Sequence, residues 1–167
     1  MGFFINTEDY YMSLEEKENV KIVFEDEGLI DENFSYEPDT DDRDLAGLEI
    51  YIRSKKMGGK SGGTIKHDLS VKLKGKGYSG EGQEIDIQRH GKDKVYDGID
   101  ENDMKKVKPK HRNYVRSFIE DNYDDISAYW DTLPDNKYDK DRKEIADRIR
   151  KREYNKLHNI KDDDDNA

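Results

Sequence analysis

An α+β fold, an antiparallel meander sheet of about four to five strands covered by C-terminal helices, is what the order of hydrophobic periods predicts. Residues 48–99 alternate apolar and polar side chains, whereas residues 109–133 repeat apolar side chains every three or four positions. Glycine-rich connectors separate the alternating runs, which favours antiparallel hairpins. A chain of 167 residues suits one domain, expected over residues 1–161, with an acidic N-terminal third and a disordered acidic tail at 162–167. Leu, Ile, Val and Phe number only 33, so the core is lean, and the 11 tyrosines and one tryptophan have to supply apolar area.

Thr7 can cap a short helix, TEDYYMSLEEKEN, with Glu8 and Asp9 in its first turn, where negative charge is favourable. Val20, Ile22 and Phe24 then share one face of a strand. Residues 25–44 read as acidic loop, with at most a short edge strand at Phe34-Ser35-Tyr36. Leu48, Ile50 and Ile52 form the next apolar face. Beyond the connector Met57-Gly58-Gly59-Lys60-Ser61-Gly62-Gly63, Ile65, His67, Leu69, Val71 and Leu73 form another. The turn GKGYSGEGQ leads to a strand with Ile85 and Ile87, and a further strand is expected from Val95 to Ile99.

The period changes at Pro109, well placed for a first helical turn. Tyr114, Val115, Phe118, Ile119, Ile126, Tyr129, Trp130 and Leu133 make the strongest amphipathic stripe in the chain, expected to break into two helices at Asn122, with Asp124 as the second cap and Pro134 as the end. A last helix starting at Asp139 or Asp141 carries a narrow stripe of Ile145, Ala146, Ile149, Leu157 and Ile160 amid many arginines and lysines.

Charge is segregated by block. Residues 1–52 hold 16 acids against 3 bases, and residues 53–77 hold 8 bases against Asp68 alone. The net charge of −10 repels nucleic acid and anionic membranes at long range, while a local basic patch can still bind phosphate. With no cysteine there is no disulfide framework, zinc–thiolate site or thiol nucleophile. The start, Met1-Gly2-Phe3-Phe4-Ile5, lacks the basic lead of a secretion signal, and no apolar run reaches membrane-spanning length. A cytoplasmic location is expected, with no membrane association.

Four patterns invite chemistry, and each has a plainer explanation. Gly59-Lys60-Ser61 is the end of a phosphate-binding loop, but Ser54 stands where the first glycine belongs, and the residues that follow alternate like a strand instead of opening a helix. A flexible hairpin tip is expected there, able to clamp phosphates or acidic side chains through Lys55, Lys56, Lys60 and Lys66. His67 falls on an apolar strand face with no nucleophile or second base at readable spacing, so a core histidine is expected. Asp93, Asp97 and Gly98 occupy EF-hand positions, but Val95 and Met104 stand where oxygen ligands belong, so no metal site or other cofactor is expected. The Arg/Lys ring of the last helix resembles a nucleic-acid face, yet Glu144, Asp147 and Glu153 offer partners such as Glu144–Arg148 within the helix.

The order of features from His67, opening a strand with Val71, through Ile85, Ile87, Gly98, Val107, Ile119, Asn122, Ile126 and Trp130 resembles a family of small bacterial domains of unknown function often encoded beside helix-turn-helix antitoxins. That family's proline-proline-histidine lead-in is replaced here by Gly62-Gly63-Thr64. The resemblance implies an antiparallel sheet with helices and a mobile-element or stress-module setting. It implies no established chemistry.

The functional expectation is a non-enzymatic bacterial or phage interaction protein, an inhibitor or toxin–antitoxin component. It would present the acids Asp39, Asp41, Asp42 and Asp44 and the basic loop to a protein partner. A nucleic-acid-binding or nuclease-like toxin using the loop, His67 and the last helix is the alternative, and a structural part of a larger assembly is the third.

Overall fold

The computed structural model describes residues 20–26, 29–30, 45–54, 69–132 and 140–158. Outside these lie the helix expected after Thr7, the Phe34–Tyr36 segment, the acids at positions 39, 41, 42 and 44, the basic connector with His67, Leu133, Pro134, Asp139, Ile160 and the tail.

Six strands form one sheet: β1 (Lys21–Asp26), β2 (Leu29–Ile30), β3 (Leu48–Ile52), β4 (Ser70–Gly75), β5 (Gln83–His90) and β6 (Val95–Ile99), in the spatial order β2-β1-β3-β4-β5-β6. The meander expected of β3 to β6 is present, each strand antiparallel to the next. The sheet as a whole is mixed, because β1 pairs with β3 in parallel. A parallel neighbour needs a return crossover of a dozen or more residues, and residues 27–47 supply one. Leu29–Ile30, within the segment expected to be loop, pairs antiparallel with the end of β1.

Register explains why the alternating residues make a core. Phe24 opposes Ile52, Ile52 opposes Val71 and Val71 opposes Ile85, a row of four apolar side chains running across four strands. Ile22, Ile50 and Leu73 form a second row, and every residue of both rows is fully buried. Burying one such side chain is worth about 1.5–3 kcal/mol, so these two rows are the main cohesion of the sheet.

The apolar face is covered by helices. Asp100 caps a single turn, α1 (Glu101–Met104), accepting from the amides of Asn102 and Asp103, and Met104 closes the end of the core. The sequence reading missed this turn, because four residues carry no period. Then α2 (Pro109–Trp130) runs unbroken for 22 residues. Asn122 does not interrupt it. The side chain is buried and its amide donates to the Phe118 carbonyl one turn back, so a residue that can break a helix is held inside one. The Tyr129 ring packs on Phe24 at 5.3 Å between centroids, and Tyr123 packs on Tyr96 at 4.9 Å.

The last helix, α3 (Lys140–Leu157), lies against α2 and buries Ile145, Ala146 and Ile149 as its stripe predicts. The same buried side also holds Arg142, whose guanidinium stands over the Tyr129 ring, and Glu153.

Candidate functional site

The arginines of α3 are the first candidate that the structure decides. Asp125 of α2 accepts from Nε and a terminal nitrogen of Arg148 and from both terminal nitrogens of Arg152. Lys156 stands 2.6 Å from Asp121 and 3.1 Å from Glu153. The Asp125 carboxylate raises the pKa of Arg148 further, since it hydrogen-bonds the charged form. Arg150 and Lys143 share Asp147. Pairing within α3 is present as expected, through Asp147 and Glu153, and Arg148, Arg152 and Lys156 pair across to α2 as well, so charge docks α3 together with its apolar stripe. Which acids of α2 face which bases of α3 depends on packing between residues distant in the chain, which periodicity does not carry.

The histidines divide differently. His111 is fully buried in the first turn of α2, and its Nδ1 is 2.7 Å from the Tyr78 hydroxyl, which also accepts from the Lys108 amide. The hydroxyl oxygen has two lone pairs, so which of the two groups donates in the Tyr78–His111 hydrogen bond is set by the imidazole tautomer. Burial raises the Tyr78 pKa above its ordinary value. His90 is exposed, with Asp97 at the 4.0 Å limit of an ion pair, and His158 packs on Tyr154. His111 belongs to the buried interior.

The EF-hand-like residues do not form a loop. Asp93 is in the turn before β6, Asp97 and Gly98 are within the strand, and Met104 is buried at the end of α1. A different acidic group does form, where Asp86, Asp100 and Asp103 bring carboxylate oxygens within 4.8 Å of one another. Two of its three carboxylates serve the backbone: Asp103 accepts from the Asp86 amide at 3.0 Å, and Asp100 caps α1. On the sheet face away from the helices, the buried Arg53 and Ser70 join the half-buried Glu84 in a compact cluster in which the Ser70 hydroxyl also donates to Glu84.

One basic region is left over, and the sequence reading passed it by. Between Asp103 and Glu120 the chain has six bases and no acid. Arg112 turns back to donate to the carbonyls of Lys105 and Val107, and Arg116 clamps Glu101 with two hydrogen bonds, holding that carboxyl below its usual range. Lys105, Lys106, Lys108 and Lys110 remain. The β4–β5 turn, which carries Lys76, passes against Lys108. Tyr78 is bonded to Lys108, and Gly77 (φ +95°) lies so close under the Lys108 side chain that a Cβ there would sit 2.0 Å from its Cε. Among the described residues none of these five ammonium groups forms an ion pair, in contrast to Lys94, Lys143 and Lys156. Four of the five are exposed and Lys108 is half-buried. The acid-free run was the legible signal.

No protein-family model, curated protein or solved structure matches the chain, and these comparisons add nothing to the resemblance drawn from His67 to Trp130. No helix among the described residues is long and apolar enough to cross a membrane.

Proposed function

We propose that the protein is a non-enzymatic binding protein, whose acidic N-terminal block presents carboxylates at positions 39, 41, 42 and 44 to a cationic surface on a protein partner. The observation that carries this reading is the charge segregation, 16 acids against 3 bases over residues 1–52 in a chain of net charge −10. A one-signed block raises the encounter rate with an oppositely charged partner and rejects like-charged ones. The ion pairs between α3 and α2 support it indirectly. They spend the arginines on which the nuclease-like alternative relied, since a phosphate would have to displace Asp125 from both Arg148 and Arg152.

The test is capture from extract of the source cells with wild type and with D39N/D41N/D42N/D44N, followed by titration of the captured protein in purified form. Weakening of at least tenfold by the variant at low salt, shrinking as salt is added, is the expected result. Equal binding by the two chains removes the reading.

A further inference from the structure

We infer that the corner where the β4–β5 turn meets the start of α2 binds the phosphate backbone of a nucleic acid without regard to base sequence. The inference stands on other residues than the acidic-block reading and does not depend on it.

Local rules are broken at this corner in one consistent direction. A helix N-terminus carries partial positive charge and favours Ser, Thr, Asp or Asn as cap and acids in the first turn. At α2 the cap is Lys108 with no side-chain hydrogen bond, Pro109 follows, and the first turn has no acid. Lys105, Lys106 and Lys110 add charge of the same sign, and the fold adds Lys76 from a turn some thirty residues earlier in the chain. Like charge on Lys105, Lys106, Lys108 and Lys110 around the positive pole of a 22-residue helix, with Lys76 on the adjoining turn, opposes folding. Breaches of this kind are expected where function requires them. A polyanion reverses the sign of every one of these terms at once.

Residue type selects the class of ligand. Lysine is a point charge on a flexible stem, suited to phosphate oxygens and lacking the planar fork with which arginine reads base edges. The two arginines of the run, Arg112 and Arg116, are occupied by carbonyls and by Glu101. Lysines alone predict contact with the backbone and indifference to sequence. Of the acids of α1, Glu101 is paired with Arg116, Asp100 caps the turn at its far end, and Asp103 faces the Asp86 amide, which leaves the patch with more bases than acids.

The test is fluorescence anisotropy of a labelled 20-base-pair DNA and a 20-nucleotide RNA of mixed sequence against the full chain, at salt from 25 to 200 mM. The expected result is binding to at least one of them that is insensitive to sequence, with log K falling against log salt at a slope of up to about −4.5 on the duplex or about −3.5 on the single strand for five contacts. K105E/K106E is expected to weaken binding by roughly tenfold to a hundredfold near 0.1 M salt. K92E/K151E changes net charge equally, at exposed lysines on the β5–β6 turn and on α3, and is expected to weaken it by less than threefold. Both variants alter exposed side chains, and matching circular dichroism and urea midpoints will show that each is folded. No binding to either nucleic acid at 25 mM salt overturns the inference. So does equal weakening by the two variants, and so does equal competition by polyglutamate of matched charge.

Discussion

Nδ2 of Asn122 donates to Oε2 of Glu153 across 2.8 Å, joining the middle of α2 to the most basic helix of the chain with both side chains sealed from solvent. Tyr114 donates to the other oxygen of that carboxylate, and Arg152 donates to the Asn122 carbonyl oxygen. Every hydrogen-bonding group of Asn122 is thus used, which allows a polar residue to stay buried in an amphipathic helix.

Removing the amide should expose how much the junction depends on it. Asn122→Leu keeps the volume but takes a donor from Glu153 and an acceptor from Arg152, and is expected to cost about 2–3 kcal/mol in urea unfolding. Asn122→Asp should cost more, because it sets a second carboxylate against Glu153. A loss under 0.5 kcal/mol for both would show that the junction is not a cohesive element.

The Asp125 pairs should give the stability of the chain a salt dependence. Asp125→Asn is expected to lower stability by about 1–2 kcal/mol in dilute buffer, with the difference at least halved in 1 M salt. Denaturant melts at the two salt concentrations read this directly. A difference unchanged by salt would mean that Asp125 acts by packing and not by charge.

Asp131 should make the chain sensitive to acid. Burial opposes its ionisation, but hydrogen bonds from Arg89 and Lys94 outweigh burial and lower its pKa. The folded value is below the unfolded one, so the stabilisation is complete above the unfolded pKa, about 3.9, and is lost as pH falls through the folded value. The stability difference between wild type and Asp131→Asn should be constant from pH 6 to 5 and shrink below about pH 4. Urea midpoints against pH test this, and a difference that grows on acidification would contradict it.

Gly75 should tolerate no side chain. Its φ is +101°, and a Cβ would stand 2.0 Å from the Gly47 carbonyl oxygen, which accepts from the Lys76 amide. Gly75→Ala is expected to cost about 2 kcal/mol or more. Gly80→Ala, with nothing within 4 Å of its Cβ, should stay within about 0.5 kcal/mol of wild type. Thermal melts of the pair separate backbone strain from the general effect of losing a glycine.

The sequence by itself determined the elements that carry a period. Alternation placed Ile50, Ile52, Val71, Leu73, Ile85 and Ile87 on one sheet face, and three- and four-residue spacing placed Val115, Phe118, Ile119, Ile126 and Trp130 on one helix face, because side-chain direction follows backbone geometry over a few residues. Only the tertiary structure decided what depends on residues distant in the chain. The parallel pairing of β1 with β3 needed the return path of residues 27–47, and the continuity of α2 through Asn122 needed Glu153 and Arg152 from another helix. The same holds for charge. Arg148 and Arg152 of α3 are spent on Asp125, whereas the lysines around Pro109 form no ion pair among the described residues and the turn carrying Lys76 packs against Lys108. Composition counts charges, but which of them face one another is set by packing.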